Sequence, residues 1–466
     1  MAPSLDAAQW QPRLDLLARG HGVPGAAFGV LRLDDHHDHD DGTGARLELA
    51  TGVLHLGTGV PVTPDALFQV GSITKVWTTT LVMRLVDEGL LDLDAPVVER
   101  LPEFAVADGD AAAGITLRHL LTHTSGFDGD TFTDTGRGDD CLRAFVAVLT
   151  DSRQLFAPGT AWSYNNAAFV VAGRLVETVT GGTWDAALRE RVIEPLGLGR
   201  TVTLPEEVLL HGAALGHIDD ADGRPVPAPV WALPRSCGPA GTVTSTVGDQ
   251  LTFAAAHLRG GVLDGGRLLS ADSAAAMTSQ QVARVDTAGQ EDASSWGLGW
   301  ALGTWGGARV VGHNGNTIGQ SAFLRLLPEH GLATVLLTNG GRADQLHRAL
   351  VGELLADLAG VEVPAPVAPD PSAPEPGDDA IGTWAQASAR LDVRREGDGL
   401  VLRHTDTTPF ADLDPEAEWE RPLVPYAEGV LLVQAPRETA WRALTLETTA
   451  DGRDLLHLGW RAHTRV

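Results

Sequence analysis

Ser72 and Lys75 are the residues of this chain whose types and spacing most directly suggest chemistry. They stand three positions apart near the start of a stretch, Phe68 to Gly89, whose apolar periodicity predicts a helix. Residues three apart on a helix share one face and lie close enough to hydrogen-bond. A serine hydroxyl beside a neutral lysine is an activated nucleophile. The pair therefore predicts covalent catalysis through a serine ester.

Lys75 is the only lysine in the chain, because the other 33 of its 34 Lys and Arg residues are arginine. Arginine is sufficient wherever a permanent cation is needed, but its guanidinium does not give up a proton in proteins. A buried lysine can have a lowered pKa and act as a base. Chance survival of one lysine is the alternative. The composition favours a lysine retained because it must lose its proton.

Two further motifs supply polar groups. Tyr164 is one of two tyrosines, and Asn166 follows two residues later; in an extended segment both side chains would point to the same side. A packing tyrosine followed by a turn asparagine is the alternative reading. His313 and Gly315 follow the apolar run ARVVG, which predicts a position at a strand end. Glycine there would let a substrate approach the backbone closely.

A layered domain must position these groups. Helices are predicted at 5–20, 140–150, 167–181, 184–195, 246–258 and 342–359, and strands at 23–33, 46–57 and within 296–340. Strands at both ends with helices between them predict an α/β (α+β) domain over residues 1–361. Six prolines in 362–379 predict an extended linker. Short alternating segments in 380–466 then predict a small all-β barrel or sandwich.

Composition excludes several classes of partner. The net charge is −27 over 466 residues, and nucleic acid or an anionic membrane surface would require a basic face. The N-terminal stretch lacks the basic and apolar regions of a signal peptide, and no run reaches transmembrane length. Two cysteines, Cys141 and Cys237, give no disulfide framework. These features predict a soluble cytoplasmic protein.

Histidine clusters raise the question of a metal. Residues 34–44, DDHHDHDDGTG, contain three histidines, but a solvated loop tip is the favoured reading. His119 and His123 have zinc-like spacing on a helix, yet no acidic third ligand follows at a recognisable spacing. A structural role is favoured for both, and we expect neither a metal nor another cofactor.

Together the motifs resemble those of the serine β-lactamase and penicillin-binding-protein family, whose SxxK, Yx[NS] and [KH]xG motifs occur in this order. Here they read Ser72–Lys75, Tyr164–Asn166 and His313–Gly315. The stretches LLTHTSG (120–126), PAGTVTSTVGD (239–249) and WGLGW (296–300) extend the resemblance over residues 10–360. The resemblance implies a helical subdomain packed against an antiparallel sheet, with the active site between them.

The resemblance also implies a role for each residue. Ser72 would be the nucleophile, Lys75 its base and Tyr164 the proton shuttle. Asn166 would orient Lys75 and contact the substrate amide. The backbone N–H groups of Ser72 and Asn316 would form the oxyanion hole, with Gly315 allowing close approach.

The third motif departs from that of true β-lactamases and transpeptidases, which usually have lysine at the position of His313. Histidine is found in the family's esterases, D-aminopeptidases and peptide cyclases, so efficient antibiotic hydrolysis is not expected, although weak β-lactamase activity is compatible with the family. The predicted C-terminal barrel resembles the lipocalin-like domain of some of these relatives. The domain order, the arginine-rich composition and the absence of a secretion signal resemble penicillin-binding-protein-type thioesterases of the surugamide type.

Those thioesterases act in trans on a carrier-bound nonribosomal peptide and cyclise it head to tail through a D-configured acyl donor. The resemblance therefore implies a peptidyl substrate presented on a carrier protein. Hydrolysis of the same acyl-enzyme, by an esterase or a D-stereospecific peptidase, is the alternative. A non-enzymatic scaffold is disfavoured, because Ser72, Lys75 and Tyr164 are all intact.

Arg461 is the last candidate residue. The stretch LLHLGWRAH is predicted to be one strand, with Leu456, Leu458 and Trp460 on one face and Arg461 on the other. An arginine there could be a solvated surface charge. Alternatively, its planar fork of donors would suit peptide carbonyl groups over the active site.

Overall fold

The chain forms an α/β domain followed by a β-barrel, and the computed structural model describes residues 5–466 except 34–43, 221, 232, 286–292, 375–376, 414–415, 437 and 439. The described helices are α1 Ala7–Gly20, α2 Thr74–Asp87, α3 Val97–Arg100, α4 Gly109–Gly114, α5 Leu117–Leu121, α6 Cys141–Val148, α7 Asn166–Thr180, α8 Trp184–Leu188, α9 Pro205–Val208, α10 Gly238–Gly241, α11 Val247–Leu258, α12 Ala271–Thr278 and α13 Ala343–Ala359.

The described strands of the α/β domain are β1 Gly25–Arg32, β2 Ala45–Gly52, β3 Phe68–Gln69, β4 His217–Asp219, β5 Pro225–Pro227, β6 Thr244–Ser245, β7 Val262–Leu263, β8 Gly266–Arg267, β9 Val282–Ala283, β10 Ser295–Trp296, β11 Ala301–Trp305, β12 Ala308–Thr317, β13 Gln320–Leu327 and β14 Leu332–Thr338. Those of the barrel are β15 Gly382–Gln386, β16 Ala389–Glu396, β17 Gly399–Asp406, β18 Glu418–Ala427, β19 Val430–Val433, β20 Arg442–Thr448, β21 Asp454–Leu458 and β22 Arg461–Arg465.

One antiparallel sheet of eight strands organises the α/β domain, in the order β2-β1-β14-β13-β12-β11-β10-β9. The N-terminal hairpin joins strands more than 250 residues later in the chain, as the register of Ala26 opposite Thr338 shows. The strands predicted at both ends of the domain therefore belong to one sheet. The predicted antiparallel sheet with flanking helices is confirmed as well.

Helices cover both faces of the sheet, because each face is apolar. On one face α1 and α13 bury Trp10, Leu14 and Leu350 against Phe28. On the other face α2 and α11 form the larger core together with a helical subdomain made of α5, α6, α7 and α8. In this core Trp77 stacks on Phe253 with ring centroids 3.8 Å apart. The start of α2 is thus fixed between the sheet and the helical subdomain.

The barrel is closed by consecutive strands β15 to β22, and its last strand pairs with its first. Trp384, Leu391, Leu402 and Leu456 fill its core, as in small up-and-down barrels of the lipocalin kind. The described part of the predicted linker 362–379 contains no helix or strand. None of the described helices combines the length and apolar character that crossing a membrane requires.

The predicted single strand through LLHLGWRAH is wrong. Gly459 and Trp460 have φ values of +60° and +73° and form the two-residue turn between β21 and β22. Positive φ at both positions is typical of the tight turns that match the twist of a hairpin. Because of this turn, Arg461 pairs with Leu458 and lies on the same face as Leu458 rather than opposite to it.

Candidate active site

The start of α2 carries the Ser72–Lys75 pair. A 3-10 turn, Gly71–Ile73, precedes the helix, and Gly71 has a φ of +51° that favours glycine. Lys75 Nζ lies 3.0 Å from Ser72 Oγ and donates to the carbonyl oxygen of Ala240 at 2.8 Å. The predicted contact between the two side chains is therefore present. The lysine side chain is fully buried.

The environment of Lys75 favours its neutral form. Burial lowers the pKa of the ammonium, the nearby Arg461 lowers it further, and Asp130 raises it; the pKa falls to about 7. An unperturbed lysine would be protonated at neutral pH. A substantial fraction of Lys75 is therefore available near pH 7 to accept the proton of Ser72.

Tyr164 lies immediately before α7, in the segment that leads into the helix. Its ring stacks on His123 with centroids 4.3 Å apart, and Lys75 Nζ is 5.0 Å from its ring centroid. Burial raises the pKa of the phenol well above its ordinary value, although a hydrogen bond with the Ser72 side chain acts in the opposite direction. Tyr164 is therefore protonated and can pass on a proton, whereas Lys75 has the pKa expected of the base.

His123 has the structural role that the sequence favoured. Its Nδ1 accepts a hydrogen bond from the backbone N–H of Asn165 at 2.9 Å, and the ring is fully buried. Asn165 in turn caps α7 by accepting from Ala168 N. Thr116 caps α5 by accepting from the backbone N–H of His119, and the His119 ring accepts from the backbone N–H of Thr116 in return. No group of three or more potential metal-ligating residues occurs within the described ranges. The histidine loop 34–44 lies outside those ranges except for Gly44.

Strand β12 forms the opposite wall of the site. A Cβ on Gly315 would lie 1.8 Å from the Val70 carbonyl oxygen and 3.0 Å from Ser72 N, and one on Gly71 would lie 2.6 Å from Asn316 N. Only glycine permits this approach. The segments that carry the backbone N–H groups of Ser72 and Asn316 are thus in direct contact, so the two donors expected of an oxyanion hole lie near each other.

His313 lies inside β12 rather than at its end. The strand continues because β13 pairs with it as far as Thr317, whereas β11 pairs only as far as Gly312. Beyond Gly312 one edge of β12 is therefore free to face the start of α2. Burial and the nearby Lys75 lower the pKa of His313 to about 3. His313 is consequently a neutral group and not a substitute cation for the family's lysine.

Asn166 does not take the position predicted for it. It is the first residue of α7 rather than part of an extended segment, because Asn165 caps the helix one residue earlier. Its Nδ2 donates to Asp130 Oδ1 at 2.7 Å, and none of its described hydrogen bonds goes to Lys75. The implied Lys75–Asn166 contact is thus replaced by a contact with Asp130.

Arg461 reaches the site from the barrel. Its Nε and Nη2 donate to the two carboxylate oxygens of Asp130, at 2.5 and 3.3 Å, and its guanidinium carbon lies 5.0 Å from the centroid of the Tyr164 ring. The side chain is 27% exposed. The interpretation of Arg461 as a solvated surface charge is therefore wrong.

An aromatic wall surrounds Tyr164. Trp460 and Trp296 have ring centroids 5.9 and 6.1 Å from Tyr164, and the Arg284 guanidinium lies 4.4 and 4.6 Å from the rings of Trp162 and Trp460. The barrel turn therefore contributes one side of a wall whose other members come from the α/β domain.

Sequence reasoning missed Asp130, Trp460 and the contact of His123 with Tyr164. The only signal for Asp130 was an acidic residue shortly after the HTSG stretch. Trp460 gave a misleading signal, because tryptophan is not a residue that favours positive φ.

Comparison with known proteins places the α/β domain in one family. The Beta-lactamase family profile matches residues 11–356, and the chain belongs to that family of penicillin-binding-protein-like serine hydrolases. The resemblance of the motifs to this family is therefore confirmed.

Individual proteins and solved structures give more detail than the family profile. Penicillin-binding protein 4 of Amycolatopsis lactamdurans is 48% identical over 383 residues, which cover 81% of this chain and 97% of that protein. Esterase EstB of Burkholderia gladioli is 35% identical over 250 residues, 48% of this chain and 61% of that protein. The crystal structure of SurE covers 98% of both chains at 29% identity, with a TM-score of 0.79. A D-stereospecific amidohydrolase from Streptomyces sp. covers 76% of this chain and 99% of its own, at 27% identity and a TM-score of 0.59.

Proposed function

We propose that this protein is a trans-acting peptide cyclase: Ser72 takes a peptidyl group from a thioester, and the peptide's own amine releases it as a ring. The observation that carries the proposal is the position of the barrel turn, whose Trp460 ring and Arg461 guanidinium both pack against Tyr164. A barrel turn in this position limits the access of water to the acyl-enzyme. The likeness to SurE over both domains, including a structure described as SurE with D-Leu, supports the same proposal.

The first step transfers the acyl group to the enzyme. Neutral Lys75 accepts the proton of Ser72 Oγ while the oxygen attacks the thioester carbonyl carbon. The N–H groups of Ser72 and Asn316 stabilise the developing oxyanion. The carbon–sulfur bond then breaks, and the thiolate leaves as a thiol with a proton delivered by Lys75 through Tyr164.

The second step releases the ring. The peptide's terminal amine attacks the Ser72 ester carbonyl, loses a proton to the Lys75–Tyr164 pair, and forms the amide as the carbon–oxygen bond breaks. Ser72 Oγ recovers its proton, so the enzyme returns to its starting state. Hydrolysis differs only in that water is the nucleophile.

Arg461 retains donors for the peptide. Its described hydrogen bonds to Asp130 and to the Gly459 carbonyl use three N–H groups, and a guanidinium has five. The remaining two suit peptide carbonyl oxygens. A D-configured acyl donor, a carrier protein that presents the thioester and a cytoplasmic site of action all belong to this proposal.

The test is a synthetic peptidyl N-acetylcysteamine thioester with a free N-terminal amine and a D-residue at the acyl end. Mass spectrometry separates the ring from the linear acid, which is heavier by one water. We expect the ring to predominate, the L-epimer to react poorly, and Ser72→Ala to produce neither. Linear acid alone would support the second candidate, a D-stereospecific hydrolase, which the likeness to the Streptomyces amidohydrolase and to EstB favours.

A further inference from the structure

Asp130 is a buried carboxylate at the junction of the two domains. Its side chain is 3% exposed. Oδ1 accepts from Asn166 Nδ2 at 2.7 Å and from Arg461 Nη2 at 3.3 Å, while Oδ2 accepts from Arg461 Nε at 2.5 Å and from Ser388 Oγ at 2.9 Å. A carboxylate offers about four acceptor sites, so this one is saturated. Two of its partners, Arg461 and Ser388, belong to the barrel.

The contact with Asp130 determines how Asn166 presents its amide. A carboxylate accepts and cannot donate, so the group facing it must be the amide NH₂. That orientation commits Nδ2 and leaves Oδ1 as the group available to a substrate. An amide whose orientation is fixed by a buried charge also loses less conformational freedom on binding.

We propose that Asp130 is a positioning residue of the active site, and that its pairing with Arg461 lets the barrel both orient the Asn166 amide and balance the charge around Lys75. The proposal rests on the proposed function for the role of Lys75 as base, but the arrangement of charges does not depend on which acyl acceptor follows.

Several titratable groups face Lys75 from the elements packed against it: Arg461, Asp130, Cys237, Tyr164, His123 and His313. Of these, the histidines have lowered pKa values, and the pKa values of the phenol and of the Cys237 thiol are raised. They are therefore neutral near pH 7. Arg461 and Asp130 are the two groups that remain charged. The Lys75 Nζ and the Arg461 guanidinium carbon each lie 5.0 Å from the centroid of the Tyr164 ring, and Asp130 is hydrogen-bonded to Arg461. From these positions the two charges act on the Lys75 ammonium with opposite signs.

The two charges compensate each other as a pair. Burial raises the pKa of the Asp130 carboxyl, but Arg461 and the other donors outweigh burial, and the net shift is downward. Asp130 is thus an anion in the assembled protein. Removing Arg461 alone would leave that anion to stabilise the Lys75 ammonium, whereas removing Asp130 alone would leave the cation to oppose it.

Because the chain has a single lysine, the effect of Arg461 and Asp130 on the pKa of Lys75 can be measured directly. Protein labelled with [¹³Cε]lysine has one lysine resonance, so an NMR titration reports the pKa of Lys75 in the full chain without requiring activity. The variants are Arg461→Gln, Asp130→Asn and the double variant, which change charge with little change in size. Arg453→Gln is the matched control, because Arg453 also crosses the interface, to the carbonyl groups of Gln154 and Leu155.

We expect the Lys75 pKa to rise by about one unit in Arg461→Gln and to fall by about one unit in Asp130→Asn. The double variant should return close to wild type, and Arg453→Gln should not move it. Shifts of the same sign, or no shift in correctly folded single variants, would overturn the proposal. Circular dichroism and the thermal midpoint establish that each variant is folded.

Steady-state kinetics with a peptidyl thioester provide the second readout, which reports on the Asn166 amide. Asp130→Asn can donate to Asn166 Oδ1 and so releases the amide to turn, and we expect KM for a peptidyl thioester to rise at least about tenfold. An unchanged KM would refute the orienting role. If the wild type titrates as expected but forms no acyl-enzyme, the proposed function fails while the charge balance stands.

Discussion

The backbone N–H of Tyr164 donates a hydrogen bond to the carbonyl oxygen of Trp460, 2.9 Å away, so the last turn of the barrel is attached to the segment that carries the candidate proton shuttle. A second bond runs from Ala462 N to Ser163 Oγ at 3.1 Å. The barrel is therefore part of the active-site wall rather than a separate appendage.

Trp460→Gly should change the fate of the acyl-enzyme more than its formation. Glycine accepts the +73° φ of this position, so the turn is preserved while the indole is lost. Water then reaches the Ser72 ester more easily, and we expect the ratio of ring to linear acid to fall severalfold. Acylation by a small ester should stay within a few fold of wild type.

The matched control is Trp441→Gly, since Trp441 lies in a groove of the barrel with Arg421 and Pro422. Its product ratio should equal that of wild type. If the ratio of ring to linear acid is the same in both variants and in wild type, the Trp460 side chain does not exclude water.

Lys75→Arg should be nearly as damaging as Lys75→Ala. Arginine preserves the charge but cannot act as the base, so we expect kcat to fall by at least about a thousandfold in both variants. Steady-state kinetics with a small ester measure this directly. A kcat above about a tenth of wild type in the arginine variant would mean that only the cation is needed.

Acylation should depend on pH through Lys75. The neutral amine is the reactive form, and its pKa is lowered to about 7 by burial and by Arg461. The acylation rate should therefore reach a plateau above pH 7 and fall about tenfold per unit below it. A stopped-flow profile with a small ester tests this. A midpoint near the ordinary pKa of lysine would contradict the assignment of the base.

Gly315→Ala should disrupt the oxyanion hole, because its Cβ would lie 1.8 Å from the Val70 carbonyl oxygen. The strand must move away from α2, and loss of one donor typically costs about 10²- to 10³-fold in kcat. Gly199→Ala is the control, since a Cβ there meets nothing within 4 Å. Wild-type kcat in a folded Gly315→Ala enzyme would exclude Asn316 as the donor.

The local motifs were predictable from sequence because they depend on short spacing. Ser72 and Lys75 lie one helical turn apart, and any helix at this position brings them together. The fold class of the sheet was predictable, since the strands at both ends of the domain need partners for their backbone hydrogen bonds. The pairing of β1 with β14 provides such partners.

Asp130 could not be predicted, because its role depends on a partner 331 residues away, Arg461. Nor could the position of Arg461 itself. In the turn, the indole of Trp460 contacts Trp162, Trp296 and Tyr164. Such tertiary contacts are absent from the local sequence pattern. The sequence pattern predicted one alternating strand, whereas the structure has a hairpin whose turn packs against the α/β domain.

The most direct test of Ser72 as the nucleophile is the mass of the intact protein after brief incubation with a D-configured peptidyl thioester at pH 7. We expect wild type to gain one acyl group, which peptide mapping places on Ser72, and Ser72→Ala to gain none while keeping its thermal midpoint. An equal mass gain in Ser72→Ala, or an acyl group mapped to another residue, would contradict this assignment.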